Sequence, residues 1–280
     1  MGLQRDCDDD DHDHGLPHDL GVLIERRRAL AWLGATGVAA LVGACGDPIF
    51  GRAEAEVVGT AADGSQCVVH PRETAGPYPA DGSNRAHGTL ANVLDQSGIV
   101  RADMRPSLGA GQPVATGTPL DLTLKLVDVG RGCAPIGGHA IYLWHCDQLG
   151  RYSMYSSGVT AENYLRGVQP TASDGTATFV TIFPGCYAGR MPHMHFEVYR
   201  NTSTALSYTN KLKTSQLAFP DAVCDAVYAS SGYSTSAANY ARMSFANDGI
   251  FSDGVSLQMS AVTGSVANGY EATLTVGISV

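Results

Sequence analysis

The chain has 280 residues, room for one large domain or two small ones, with 44% hydrophobic and only 16% charged residues. Its 33 glycines and 13 prolines argue against a helical bundle and for strands joined by turns. Net charge is −9; residues 1–45 carry eight acids against four arginines, so the remainder holds 14 basic and 19 acidic residues. That body offers no basic footprint for nucleic acid, and a small-molecule partner is expected instead.

Residues 6–19 (DCDDDDHDHGLPHD) form an acidic, His-rich tract. Such a composition has nothing to bury in a core and fits a solvated leader; metal binding is the alternative reading. Arg26-Arg27-Arg28 then precedes sixteen uncharged residues that end at Cys45. The run is short and only modestly apolar for a spanning helix, but it suits the basic and apolar regions of a signal segment, so export is expected. The arginines resemble a twin-arginine signal, although Ala29 stands where a bulky apolar residue is usual. Val42-Gly43-Ala44-Cys45 resembles a lipobox, which would lipidate Cys45 and tether the protein to a membrane surface. An ordinary peptidase cut further on, for example after Ala55, is the competing reading. Residues 1–45 thus read as leader and signal segment, and 46–65 as tether.

Beyond the tether, short alternating runs recur between Gly, Pro and Asp turns. They cover residues 120–127 (LDLTLKLV), 140–145 (AIYLWH), 176–182 (TATFVTI), 195–198 (HFEV) and 270–278 (YEATLTVGI). Their period of two, with Asn268-Gly269 as a hairpin-type turn, predicts one all-β domain over residues 66–280, an antiparallel β-sandwich with long loops. Helices are expected only around 221–228 and 237–245. Five cysteines follow Cys45 (Cys67, Cys133, Cys146, Cys186 and Cys224), enough for two disulfides with one left over, and no CxxC pair marks a zinc ribbon or redox site.

Three segments carry chemistry. In Arg190-Met191-Pro192-His193-Met194-His195-Phe196, a strand would turn His193 and His195 to one side, where both imidazoles could meet one metal. Two core or surface histidines would leave the same pattern. Just before it, Pro184-Gly185-Cys186-Tyr187-Ala188-Gly189 puts Tyr187 on a sharp turn, where a packed tyrosine with a bonded hydroxyl is the plainer reading. Third, in residues 143–153 (LWHCDQLGRYS) a strand runs into a turn that delivers Tyr152.

Together with ETAGPYP (73–79), the run from 167 to 196 and TSQLAFP (214–220), these pieces resemble the intradiol ring-cleavage dioxygenases, the protocatechuate and catechol dioxygenase family. The resemblance runs from about Cys67 to the C-terminus and is best to the exported, single-chain branch. It implies one non-haem iron(III) ion per chain, held by Tyr152, Tyr187, His193 and His195. It implies a catechol-type aromatic diol and O2 as substrates, and a muconate-type diacid as product. Tyr187 would be the ligand that leaves, taking a proton. Arg190 matches the arginine beside the substrate ring, Gln216 a glutamine packed against the histidines, and Tyr78 lies near the substrate mouth. Tyr155 is the rival to Tyr152, Glu197 is an acid on the histidine face, and His145 has no ligand role. Cys186 replaces a bulky aromatic, which would widen the pocket or tie the turn by a disulfide, with Cys146 as the candidate partner. Phenolate and imidazole suit iron rather than copper(I), which favours thiolates. The alternatives weighed are a non-catalytic exported β-sandwich binding module with a vestigial metal site, and a zinc hydrolase, which lacks a third ligand and base at the usual spacing.

Overall fold

Alternating side chains build the strands of a computed structural model that describes residues 57–60, 66–109 and 112–280. In chain order the strands are β1 (Val57–Thr60), β2 (Gln66–Val68), β3 (Asp81–Ala86), β4 (Thr89–Asn92), β5 (Pro119–Asp128), β6 (Ala134–Pro135), β7 (Ala140–Trp144) and β8 (Arg166–Pro170). They continue as β9 (Thr176–Ile182), β10 (His193–Tyr199), β11 (Lys213–Ala218), β12 (Ala261–Ser265) and β13 (Gly269–Ile278), with helices α1 (Asp221–Tyr228) and α2 (Ser234–Tyr240) after β11. The leader, the arginine-led segment and Cys45 lie outside the described residues. Among the described residues, no helix is long and apolar enough to cross a membrane.

Two sheets form a sandwich-like arrangement. One runs β11-β10-β7-β8; the other runs β12-β13-β5-β6, with β9 also paired to β5. All pairings are antiparallel except β13 with β5, which run parallel from Tyr270↔Leu120 to Ile278↔Asp128. β5 buries Leu120, Leu122, Leu124 and Leu126 and exposes Asp121 and Lys125, as its alternation requires. Those leucines share one core cluster with Phe179 of β9, Leu143 of β7, and Met194, Phe196 and Val198 of β10. Each such fully buried side chain contributes about 1.5–3 kcal/mol relative to exposure.

β10 departs from the half-exposed strand that alternation suggests, because all seven of its residues are buried. Met194, Phe196 and Val198 face the inter-sheet core. His193, His195, Glu197 and Tyr199 take the opposite face, where a second cluster gathers Ala80, Ala91, Val93, Leu94, Tyr142, Trp144, Tyr152 and Tyr199. The segment around Ala80–Leu94 therefore roofs the outer face of the four-stranded sheet, and the candidate site lies beneath that roof.

Four expectations are revised. β1 lies inside the stretch read as tether and pairs with β2, so part of it is strand. α2 begins at Ser234 rather than 237: the Ser236 hydroxyl donates to Gln148 O (2.7 Å) and accepts from Cys186 N (2.9 Å), anchoring the first turn. It also ends at Tyr240 rather than 245, because the Asn247 side chain accepts from Ser244 N (2.8 Å) and folds the chain into a turn. A single disulfide, Cys67–Cys133, stands where up to two were allowed, among the described residues. Cys146 and Cys186 are buried free thiols rather than a bridge, since Cys146 Sγ is aimed at Gly185 O (3.4 Å) and Cys186 Sγ at Arg190 O (3.3 Å).

Candidate metal centre

His193 and His195 are two residues apart on β10 and bring their Nε2 atoms to 3.1 Å. His193 Nδ1 donates to the carbonyl of Met191 (2.6 Å), which leaves Nε2 as a bare lone pair. Sheet register sets the surroundings of His195: Trp144 of β7 lies opposite on one side and Gln216 of β11 on the other. The Trp144 indole stacks on the His195 ring at 5.0 Å with 5° between planes, fixing its rotation. Burial lowers both imidazoles well below the ordinary histidine pKa, and Arg190 adds to this, so both rings are neutral. Two nitrogens at right angles around one cation, each about 2.1 Å from it, stand about 3 Å apart, so the spacing fits a shared ion.

Two back-to-back turns deliver the phenols. Gly185 N donates to Asp147 O (3.1 Å), so the turn carrying Tyr187 lies against the turn leading to Tyr152. Any Cβ at Gly185 would collide with Asp147 O and with Gly150 N, so the approach requires glycine. Asp147 shapes the second turn by accepting from Leu149 N (2.9 Å) and Arg151 N (3.0 Å). Tyr187 Oη then comes within 3.1 Å of His193 Nε2. The Tyr152 hydroxyl is fully buried and makes no hydrogen bond, with its ring 5.6 Å from that of Tyr187. Burial raises both phenols above the ordinary tyrosine pKa, and at Tyr152 the neighbouring Tyr187 acts in the same direction. In isolation they would stay protonated; a cation among them would draw the protons off. A buried hydroxyl without a partner beside two imidazole Nε2 atoms that face each other is the arrangement such an ion would complete.

Arg190 is locked in place. Its Nε donates to both oxygens of Asp248 (3.1 and 3.0 Å), its Nη2 to Gln216 Oε1 (2.7 Å), and its Nη1 lies 3.4 Å from His193 Nε2. Gln216 in turn donates to Thr74 O (2.9 Å). Asp248 also accepts from Met191 N (2.6 Å), so it steadies the residue whose carbonyl orients His193. Sequence reasoning missed Asp248; the Asn247-Asp248-Gly249 turn gave no sign of its partner. It missed Trp144 as well, whose place over His195 follows only from strand register.

Tyr78 stacks on Tyr152 at 4.7 Å and meets Tyr187 edge-on at 6.5 Å, so it joins the same group. Tyr155 does not compete with Tyr152: its hydroxyl accepts from Ala80 N (2.8 Å) and donates to Asn84 Oδ1 (2.7 Å). His145 is bonded by Cys146 O (2.8 Å) and Thr181 Oγ1 (2.7 Å). Glu197 is engaged by Tyr199 (2.6 Å) and Lys211 (2.8 Å). Among the described residues no third His, Cys, Asp or Glu joins the pair of histidines, and the side chains that meet His193 Nε2 besides His195 are the Tyr187 phenol and the Arg190 guanidinium. The group can hold a hard cation beside a guanidinium, in a dry aromatic enclosure.

The family model described as Dioxygenase matches residues 104–230, which include Tyr152, Tyr187, Arg190, His193, His195 and Gln216. The intradiol ring-cleavage dioxygenase from Tetranychus urticae is 25% identical, with a TM-score of 0.58 over 76% of this chain and 95% of that one. The dioxygenase Tetur07g02040 is 25% identical with a TM-score of 0.57 over the same shares. No curated protein matches the chain.

Proposed function

We propose that this chain is an intradiol ring-cleavage dioxygenase, a non-haem iron(III) enzyme that cleaves a catechol-type aromatic between its two hydroxylated carbons; the family-model match over residues 104–230 and the likeness to the Tetranychus urticae enzyme support this reading. Both atoms of O2 would enter the two carboxylates of a muconate-type diacid. The observation that carries this reading is the convergence of Tyr187 Oη, His193 Nε2 and His195 Nε2 at successive separations of 3.1 Å beside the unpartnered Tyr152 hydroxyl.

Tyr152, Tyr187, His193 and His195 would hold the ion. Two anionic phenolates and two neutral imidazoles favour the ferric over the ferrous charge. The chemistry that iron(III) supplies when bound is ligation of the deprotonated diol and activation of its ring toward dioxygen.

The remaining work falls to the protein. Tyr187 Oη takes a proton from a substrate hydroxyl and keeps it, because burial raises its pKa once it is a free phenol. Arg190, held by Asp248 and Gln216, presents a preorganised positive charge to negative charge developing on the ring. Tyr78 supplies an aromatic wall against Tyr152, and His193, His195 and Tyr152 are sealed from solvent. Oxygen uptake by iron-loaded protein against a catechol panel tests this, with Tyr152→Phe and Tyr187→Phe alongside. The panel includes catechol, hydroxyquinol, protocatechuate and lignin-derived diols. Tyrosinate-to-iron charge transfer should colour the protein red-brown. If neither substitution changed the visible spectrum or turnover, the ligand assignment would be wrong.

Export and a lipid tether at Cys45 belong to the same reading. Their support is Arg26–Arg28 and the apolar run to Cys45, with the Cys67–Cys133 disulfide fitting an oxidising compartment. Cell fractionation of the full chain and its Cys45→Ser variant tests this: membrane association should be lost in the variant while export persists.

A further inference from the structure

Arg166 of β8 is fully buried, and the hydrogen bonds its guanidinium makes go to neutral oxygens. Its Nε and Nη2 donate to Ser153 Oγ and Ser153 O (both 3.0 Å), immediately after Tyr152. Its Nη1 donates to Tyr78 O and Pro79 O (both 3.0 Å) and to Tyr142 Oη (3.2 Å). Tyr142 Oη itself donates to Pro79 O (2.7 Å). One side chain thus spans two separate pieces of the site: the Tyr78 segment on one edge of its fork and the Tyr152 turn on the other.

The backbone around it is unusual in the same place. Five non-glycine residues have positive φ among the described residues, and three adjoin this node: Leu165 (+58°), Ala80 (+49°) and Met154 (+72°). They directly precede Arg166 and directly follow Pro79 and Ser153. Side chains with a Cβ resist this conformation, so the surroundings must hold it. The Tyr78 segment is in turn fastened by side chains. Gln216 binds Thr74 O, Asn84 binds Pro77 O (2.8 Å), Arg166 binds Tyr78 O and Pro79 O, and Tyr155 Oη accepts from Ala80 N. Burying a guanidinium costs desolvation that neutral partners offset only in part, and a brace for stability alone could be built from apolar groups.

We propose that Arg166 is a positioning residue for this site: its fork clamps the Tyr78 segment to the Tyr152 turn and so sets the 4.7 Å stack of Tyr78 on Tyr152. The proposal rests on the dioxygenase reading for its kinetic consequence, because Tyr78 would be the wall against which an aromatic substrate lies. Lysine keeps the charge but offers three donors from one point and cannot grip both sides.

The test compares iron-loaded wild type with Arg166→Lys, and with two milder variants that each remove one hydrogen bond from one side, Tyr142→Phe and Ser153→Ala. Arg166→Lys should raise KM for a catechol about tenfold, the loss of one charge-assisted hydrogen bond, with a smaller change in kcat. It should also shift the tyrosinate charge-transfer band and speed amide exchange across residues 76–82. Tyr142→Phe should move KM and exchange without moving the band, and Ser153→Ala should move the band with KM unchanged. A lowered Tm with KM, band and exchange all as in wild type would overturn the proposal and leave Arg166 a structural brace. Should iron-loaded wild type cleave no catechol, the dioxygenase reading falls. Amide exchange across residues 76–82 then decides the clamp by itself: it stands if Arg166→Lys speeds that exchange and falls if it does not.

Discussion

Arg190 and Asp248 form an ion pair at 3.0 Å with both side chains sealed from solvent, 58 residues apart in the chain. The pair aims the guanidinium at His193 and, through Met191 N, steadies the carbonyl that orients the same ring. Asp248→Asn keeps the shape but leaves a buried positive charge without its counter-ion. It should cost about 3–5 kcal/mol of stability, read by denaturant unfolding, and lower kcat more than it raises KM. Unchanged stability would mean that the pair contributes little in the fold.

Gly76 lies in the left-handed region (φ +66°), and a Cβ there would sit 3.3 Å from His195 Cε1. Gly76→Ala should lose about 1–2 kcal/mol from backbone strain. It should also push on the imidazole, lowering iron occupancy per chain at a fixed iron concentration. Full occupancy with an unchanged spectrum would show that the ring yields freely.

Burial lowers His145 from 6.5 to about 4, and burial with the nearby Lys213 charge lowers His70 to about 3. Both are depressed bases, so between pH 4 and 6.5 the unfolded chain binds more protons than the folded one. Their contribution is present above pH 6.5 and lost as pH falls toward 4, with a combined slope approaching about 2.7 kcal/mol per pH unit. Urea melts of the apo protein from pH 7.5 to 4.5 should show this decline, and His145→Asn should make it shallower.

The Cys67–Cys133 bridge closes a loop of 66 residues and ties β2 to the turn before β6. By loop-closure entropy it should stabilise the fold by about 4 kcal/mol. A double Cys67→Ser, Cys133→Ser variant should lose roughly that amount, while alkylation of the unfolded protein, followed by mass mapping of residues 66–280, should label Cys146, Cys186 and Cys224 and spare the bridged pair.

Much of this protein is legible in one dimension because the relevant physics is local. Alternation along 120–127 and 270–278 marks strands, since side chains on a pleat point to opposite faces, and Gly269 marks the turn between β12 and β13. The spacing of His193 and His195 likewise puts two imidazoles on one face, whatever the rest of the chain does. Tyr152 and Tyr187 are recognisable only by their motif, because nothing local says that two turns 35 residues apart will lie back to back. That closeness depends on Gly185 meeting Asp147 and Gly150. The parallel pairing of β13 with β5 also lies beyond local pattern, as do the burial of both faces of β10 and the stack of Trp144 on His195. So do the partners of two buried guanidinium groups, Asp248 for Arg190 and the carbonyls of Tyr78 and Pro79 for Arg166. A sequence shows that a charge must be satisfied if it is buried; which residue satisfies it is decided by contacts between distant segments, and those exist only once the sheets have packed.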